Sequence, residues 1–269
     1  MNAMNPVYVQ SVAVLAPGLV GWPQARAILA GEATYAPAPL APLKPAKLAP
    51  DVRRRTTEHI RLAIDVATEA TQALDDDIRG MHSVFASAES DGAIAHDICQ
   101  EVAKDSPQVS PTRFHNSVNN APAGYWCMAI GSQAPSTSVA GYDGTFAVGL
   151  LESTLQLLTE TPRILLVVHD TPFPEPLHRV RPFHASFGAA LVLTRERAPG
   201  SLAQLSLALT LPKDETMLSD NELETLRRGN PAARALPLLA ALAARRTTDV
   251  RLPYLDSQGL TVHIESITT

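Results

Sequence analysis

The sequence predicts an α/β fold in which helices flank a mixed β-sheet. Segments with strand character alternate with segments of helical periodicity along most of the chain. Ile164–Val168 contains only β-branched and leucine residues, which is typical of a strand buried on both faces. Leu205–Leu211 instead alternates leucine with small or polar residues, as a strand with one exposed face does. No repeat or linker interrupts this pattern, so we expect one domain over residues 1–269.

The elements of the N-terminal part follow from local patterns. Val7–Leu15 alternates apolar and small residues and predicts the first strand. Pro23–Ala30, with proline near its start and Gly31 after its end, predicts a short helix. A long helix, a second strand and an amphipathic helix are predicted at about Thr56–Leu74, Met81–Ser87 and Gly92–Lys104. Cys99 lies on the apolar face of the last helix, so we expect its thiol to be buried.

The remaining elements are predicted in the same way. Strands are expected at Ser136–Ala140, Ile164–Val168, Phe187–Thr194, Leu205–Leu211 and Leu260–Glu265, and helices at Phe146–Leu158, Asn221–Arg228 and Ala232–Arg245. Phe187–Thr194 and Leu205–Leu211 are consecutive, and we expect them to be neighbours in the sheet. Prolines cluster at positions 37–50 and 172–182, where they interrupt helix and strand alike, so both stretches should be ordered connections.

Composition excludes several classes of protein. The formal net charge is 22 − 27 = −5, which disfavours sequence-independent binding to nucleic acid. The longest apolar run, Ala235–Ala244, is well short of the ~20 residues that span a bilayer. No basic residue precedes Arg26, so we expect no secretory signal and a cytoplasmic location. Two cysteines are too few for a disulfide framework or a cysteine-based zinc site, and we expect no metal and no cofactor.

The segment Ser110–Glu152 carries the most functional information. It contains, in order, Pro111, Thr112 and Phe114, a helix with Asn120 and Gly124, an apolar turn ending at Gly131, the turn Ala134–Ser136, the strand Thr137–Ala140 and a tight turn into a helix. This order of features resembles the beta-ketoacyl synthases of the thiolase-like superfamily. The resemblance implies a thiolase-like layered fold, and in that family the tight turn holds the nucleophilic cysteine.

Two departures from that family concern catalysis. Counted without gaps from Asn120 through Gly124 and Gly131, the cysteine position falls on Asp143, with no cysteine within ten residues. A carboxylate is a far poorer nucleophile than a thiolate towards a thioester, so we interpret Asp143 as a helix cap. The chain also ends before a second lobe with the family's two histidines, so we expect a truncated fold, no catalytic residue and no independent activity.

A narrower resemblance is to the short chain length factors of aryl polyene biosynthesis clusters. It extends over residues 5–210 and rests on Val7–Trp22, Val84–Ser87, Phe114–Val118, Leu165–Asp170, the loop 172–182 and Ala189–Leu193. It implies a pseudoenzyme that forms a heterodimer with an active beta-ketoacyl synthase in polyene or fatty-acid-type chain elongation. In such pairs the strand before the tight turn, here Ser136–Ala140, continues the partner's sheet. In isolation, the same strand could pair with a second copy of the chain.

The resemblance also nominates residues for contact with the partner or an acyl tunnel. They are Phe114, His115, Asn116, Asn119, Asn120, Tyr125, Ser136, Thr137, Ser138, Tyr142 and Phe146. Alternatives remain open, because asparagine side chains commonly cap helices or bond to backbone groups, and aromatic residues commonly fill cores. Asn119 stands where the pattern of the chain length factors has a histidine. A basic cluster could dock an acidic acyl carrier protein, or could be a solvated helix start; it comprises Lys44, Lys47, Arg53, Arg54, Arg55 and Arg61.

A rival interpretation treats the same tight turn as the nucleophile elbow of an α/β-hydrolase. Asp143 would then be the nucleophile, Asp170 the acid and His263 the base, in the chain order of that fold. No glycine-rich oxyanion segment precedes the turn, and Thr145 replaces the second glycine of the motif. The sequence therefore favours the ketosynthase-like interpretation over the hydrolase.

Overall fold

Strands and helices alternate along the chain, which a computed structural model describes over residues 4–72, 74, 78–211 and 214–267. Across these residues there are nine strands: Val7–Ala16 (β1), Leu19–Val20 (β2), His82–Ala86 (β3), Ser136–Val139 (β4), Arg163–Asp170 (β5), Phe187–Thr194 (β6), Ala203–Thr210 (β7), Thr248–Leu255 (β8) and Gln258–Ser266 (β9). The α-helices of these ranges are Trp22–Leu29 (α1), Pro50–Arg53 (α2), Glu58–Gln72 (α3), Gly92–Val102 (α4), Pro111–Asn116 (α5), Ala121–Ile130 (α6), Thr145–Thr159 (α7), Leu177–Val180 (α8), Asn221–Arg228 (α9) and Leu236–Ala243 (α10). The predicted α/β class is confirmed.

One mixed sheet organises the molecule. Its strands lie in the order β4-β3-β5-β6-β1-β7-β9-β8, and β2 pairs with β1. The three strands β4, β3 and β5 are parallel to one another, whereas every other pairing is antiparallel. The prediction that β6 and β7 are neighbours is wrong, because β1 lies between them and pairs with both.

Helices cover both faces of this sheet. α3 and α6 pack on one face, and α1, α7 and α10 pack on the other. Along β5, Leu165 and Val167 join the core under α3, whereas Ile164 and Leu166 join the core under α7. The prediction that this strand is buried on both faces is therefore confirmed.

Two details differ from the sequence-based expectations. Along α4 only Gly92 and Ile94 are buried, and Cys99 is exposed, so the prediction of a buried thiol is wrong. The reason is that α4 packs mainly on α5 rather than on the sheet. β8 was not predicted, since Pro253 interrupts its pattern, and it forms an edge strand, where proline is tolerated. In the described ranges no helix is long and apolar enough to cross a membrane.

Candidate functional site

The carboxyl ends of the three parallel strands form the candidate site. β4, β3 and β5 end side by side, and each is followed by a polar segment: Gly141–Thr145, Ser87–Asp91 and Asp170–Thr171. In open α/β sheets, ligands and reacting groups gather at the carboxyl ends of parallel strands. The topology therefore brings together side chains that are far apart in the sequence.

The turn between β4 and α7 is tightly built. The Thr145 hydroxyl donates to the Tyr142 carbonyl oxygen (2.7 Å) and accepts from the Gly141 N–H (3.0 Å). Tyr142 has a positive φ of 52°, which is unusual for a residue other than glycine. At Gly144, a Cβ atom would lie 2.4 Å from the carbonyl oxygen of Tyr254, so glycine lets β8 approach the turn. These contacts fix the direction in which the Asp143 side chain leaves the turn.

Arg181 occupies the space in front of this turn. Its guanidinium bonds to Asp143 (2.8 Å) and to Glu89 (2.5 Å), which belong to the segments after β4 and β3. The same group lies over the Tyr142 ring, 3.6 Å from its centroid, and over the Phe183 ring at 4.9 Å. Burial would lower the pKa of Arg181, but hydrogen bonds and charges from the two carboxylates outweigh it and raise the pKa. The guanidinium of Arg181 therefore covers the turn between β4 and α7, where it is ion-paired and stacked on aromatic rings.

A buried pair of histidines lies at the end of β5. The rings of His59 on α3 and His169 at the end of β5 are 4.3 Å apart between centroids, and both residues are almost fully buried. Burial lowers the pKa of His59 to about 4, although the charge of Asp91 opposes this, and it lowers the pKa of His169 well below 6.5. Both imidazoles are therefore neutral at pH 7.

Asp170 is a buried carboxyl beside the histidines, with 1% exposure. One oxygen accepts hydrogen bonds from the Ser87 hydroxyl (2.9 Å) and the Ala88 N–H (2.8 Å), and the other is buried without a partner. Burial raises its pKa to about 7, even though these hydrogen bonds and the Arg181 charge lower it. No cluster of three or more His, Cys, Asp or Glu that could hold a metal occurs among the described residues.

A comparison with protein families decides which fold family this geometry represents. The profile described as "Beta-ketoacyl synthase, N-terminal domain" matches residues 22–254 of the chain. The match extends over most of the sequence and includes the three parallel strands and the turn at Asp143. The chain belongs to the beta-ketoacyl synthase N-terminal domain family.

Solved structures with the same fold include chain length factor complexes. One chain from a ketosynthase in complex with its chain length factor, from Xenorhabdus doucetiae, has a TM-score of 0.74 and 19% identity, with 96% of this chain and 98% of that chain covered. A chain of the ishigamide ketosynthase/chain length factor has a TM-score of 0.76 and 13% identity, with 98% and 100% covered. A beta-ketoacyl synthase from Burkholderia phymatum STM815 has a TM-score of 0.63 and 13% identity, with 91% and 71% covered. No curated protein sequence matches significantly.

Two roles predicted from the sequence for acidic residues are wrong. Asp143 does not cap α7, because Gly144 holds the cap position and the carboxylate bonds to Arg181. The hydrolase triad is not assembled: Asp170 bonds to Ser87 and Ala88, and the exposed His263 lies 2.7 Å from Asp249. Among the described residues no hydrogen bond or ion pair links Asp143, Asp170 and His263 to one another.

β4 is the candidate interface strand, and it lies at an edge of the sheet. It pairs with β3, and within the described ranges no strand pairs with its other side. The Ser136 hydroxyl bonds to Ser83 (2.8 Å), Thr137 accepts from Gln156 (2.9 Å), and the buried Ser138 hydroxyl has no partner. Ser136, Thr137 and Ser138 therefore remain partner candidates on an available edge.

The candidates of α5 and α6 form a linked group. The buried Asn116 donates to the Arg55 carbonyl oxygen (2.8 Å) and accepts from the Tyr125 hydroxyl (2.9 Å), so its side chain satisfies a backbone group, as the alternative expected, without capping a helix. The His115 ring meets the Tyr125 ring edge-on at 6.3 Å between centroids. Phe114 is exposed, as are Asn119 and Asn120 before α6, whereas Phe146, in the first turn of α7, is buried. Tunnel or partner roles for these residues stay predictions.

Several residues of the site were not found from the sequence. Arg181, Glu89 and His59 carry the ion pair and the buried imidazole pair, yet none lies in a recognisable motif. The sequence offered one signal for Glu89 and His169, because each comes directly or almost directly after a predicted strand, where functional side chains gather. Arg181 and His59 could not have been placed without knowing which loop and which helix pack on those strand ends.

Proposed function

We propose that this chain is a non-catalytic, chain-length-factor-like subunit that pairs with an active beta-ketoacyl synthase. The observation that carries the proposal is the outer edge of β4, the strand directly before the turn at Asp143. No other strand of the described residues pairs with this edge. An exposed edge offers a row of N–H and C=O groups to a strand of another chain. Two of the similar structures are complexes of a ketosynthase with its chain length factor, which supports a partner of this class.

The helix beside β4 supports an interface on this side. α6 is apolar around its whole circumference, a composition expected of a helix that is surrounded by protein. Its Trp126 side is buried against the core, but Met128 is 58% exposed and Gly124 is also exposed. A partner that continued the sheet past β4 would cover this second face of α6.

The absence of catalysis is inferred from the residues of the turn between β4 and α7. Asp143 occupies the position predicted for the family's cysteine, and its carboxylate is already bonded to Arg181. Cys99 lies on α4 and Cys127 on α6, so neither thiol is in the turn. A thioester would meet a paired carboxylate there, which is a weak nucleophile.

Co-purification tests the pairing. We expect the chain, co-expressed with a beta-ketoacyl synthase from the same genome, to elute with it at one-to-one stoichiometry in size-exclusion chromatography. The chain alone should be a monomer or a homodimer of lower mass. If it elutes separately from a synthase that is itself active, the proposed pairing is wrong.

Intact-mass spectrometry tests the absence of catalysis. After incubation with an acyl carrier thioester, we expect no acyl adduct on Asp143, whereas an active ketosynthase in a parallel reaction gains one acyl group. The exposed Cys99 could be acylated non-enzymatically, so the Cys99→Ser variant is the matched control. An adduct that survives Cys99→Ser and maps to Asp143 would contradict the proposal.

Three finer features are part of the proposal. We expect the pair to act in aryl polyene assembly in the cytoplasm, as the sequence resemblance implies, with this subunit influencing product length. We also expect an acyl carrier protein to visit the complex, since one similar structure contains such a carrier with its ketosynthase. The predicted docking residues are Lys44, Lys47, Arg53, Arg54 and Arg55.

A further inference from the structure

The proline-rich segment before α2 covers two adjoining pockets. They have volumes of about 270 and 340 Å³, and both are lined by Pro42, Leu43 and Arg61. The first is also lined by Lys44, Arg53 and Arg54, so four cationic side chains surround it. No acidic residue lines this first pocket among the described residues. A small space with four cations and an otherwise apolar lining is suited to an anionic group.

The charges of this pocket are not neutralised by the protein. No carboxylate lies within ion-pair distance of Lys44, Arg53, Arg54 or Arg61 in the described part of the chain, although Arg53 lowers the pKa of the half-buried Asp65 from a longer distance. This contrasts with Arg181 and Arg227, which are each paired with two carboxylates. In a protein with net charge −5, four unpaired cations around one pocket form a local positive field.

Arg61 is held in a fixed orientation at this pocket. Its Nε donates to the Thr56 hydroxyl (3.1 Å), and one terminal nitrogen donates to the carbonyl oxygens of Arg53 (2.9 Å) and Thr56 (2.8 Å). All three partners are neutral, so the positive charge is oriented but not compensated. The other terminal nitrogen keeps its N–H groups for an anion, and an arginine pre-organised in this way loses less side-chain entropy on binding.

The second pocket indicates what the anion is attached to. Besides the shared residues it is lined by Leu40, Ala41 and Glu58, and the Glu58 carboxylate accepts a hydrogen bond from Ser186 (2.5 Å). We propose that the two pockets bind an organic phosphate, with the phosphoryl group among Arg53, Arg54, Arg61 and Lys44 and an uncharged chain along Leu40–Leu43. This inference is independent of the pairing through β4, because it concerns the chain alone.

The same basic residues were predicted from the sequence to dock an acidic carrier protein, and the geometry favours a smaller ligand. Arg53 and Arg61 are half-buried and face a space of about 270 Å³, which admits a phosphoryl group but not a protein surface. Lys47 and Arg55 line neither pocket. Arg53 and Arg61 therefore face the pocket, whereas Lys47 and Arg55 remain available to a protein partner.

Isothermal titration calorimetry on the full chain tests the proposal. We expect saturable binding of inorganic pyrophosphate and butyl phosphate, and none of butanol. Arg61→Gln and Arg54→Gln should each weaken binding about tenfold, since each removes a charge-assisted contact. Arg228→Gln, an exposed arginine on α9 with the same charge change, is the matched control and should leave binding unchanged. Arg54 is exposed, so its variant tests the site even if Arg61→Gln impairs folding.

The outcomes separate the possible occupants. Binding of pyrophosphate that neither Arg54→Gln nor Arg61→Gln weakens would overturn the proposal, as would the absence of saturable binding. If an acidic carrier protein binds to these residues and neither pyrophosphate nor butyl phosphate does, the proposal is also overturned. Phosphatidic acid vesicles compared with phosphatidylcholine vesicles distinguish a lipid phosphate from a free one, and binding of either phosphate in an Arg54-dependent manner supports the site.

Discussion

Ser138→Pro is expected to weaken assembly with a beta-ketoacyl synthase strongly while leaving the isolated chain folded. The backbone of β4 explains this expectation. The carbonyl oxygen of Pro135, just before β4, accepts from the N–H of Ser83 on β3, and that of Val139 accepts from the N–H of Ser87, just after β3. Backbone groups alternate in direction along a strand, so residues 136 and 138 turn theirs towards the free edge.

Proline at position 138 would therefore remove an outward N–H without breaking a bond to β3. Its ring would also occupy the space that an incoming carbonyl oxygen needs, and edge strands tolerate proline. The complex would lose one hydrogen bond, and the carbonyl oxygen of the partner strand would be left without a donor. These two effects should weaken the complex by about tenfold to a hundredfold. Surface plasmon resonance against the immobilised synthase measures the affinity, and thermal denaturation of the free chain checks its folding.

Ser138→Ala is the matched control for this experiment. The Ser138 hydroxyl is buried without a partner, so its removal should not weaken folding, and the backbone N–H is kept. We expect this variant to bind the synthase as the parent does. If Ser138→Pro binds equally well, the partner does not add to β4 and another surface must form the contact.

The sheet could be predicted from the sequence where burial dictates composition. β5 is buried on both faces, and a run without polar residues is the direct consequence, so Ile164–Val168 was found correctly. Strand order could not be found in the same way. β1 is inserted between β6 and β7, and this depends on long-range pairing that leaves no local pattern.

The site was predicted only as far as local motifs extend. The turn at Asp143 was located because the residues before it follow a family pattern, but the role of Asp143 depends on Arg181, 38 positions further along. Cys99 shows the opposite problem. Its helix has an apolar stripe, yet α4 packs mainly on α5, so the stripe is only partly buried. Periodicity predicts which residues share a face, not what that face contacts.

Asp170→Asn is expected to change how stability depends on pH. The Asp170 carboxyl has a pKa of about 7 in the folded chain, against an ordinary value of 3.8, because burial disfavours its charged form. The folded state therefore holds a proton that the unfolded state has released between about pH 4 and 7. The contribution of Asp170 to the unfolding free energy is complete below pH 4 and is lost as the pH rises to about 7.

The expected effect is large for one group. The interval from 3.8 to about 7 corresponds to about 4 kcal/mol at 1.36 kcal/mol for each pH unit. Asparagine can keep the bonds from Ser87 and Ala88 and does not titrate, so it should remove this loss. Its amide nitrogen would lack a partner, which adds a constant cost of about 1–3 kcal/mol at every pH. The informative quantity is therefore how the difference in unfolding free energy between the parent and Asp170→Asn changes with pH.

Urea denaturation at pH values from 4 to 8 measures that slope. We expect the unfolding free energy of the parent, relative to Asp170→Asn, to fall with rising pH. Glu101→Gln provides a comparison of opposite sign. Lys104 and the Gln108 N–H lower the pKa of Glu101, so the contribution of Glu101 to stability is complete above its unfolded pKa and is lost as the pH falls. Parallel curves for the parent and Asp170→Asn would mean that Asp170 is ionised when folded. The Asp170 carboxylate would then be a third anion near Arg181, beside Glu89 and Asp143, and the turn after β4 would hold more negative charge than its ion pairs indicate.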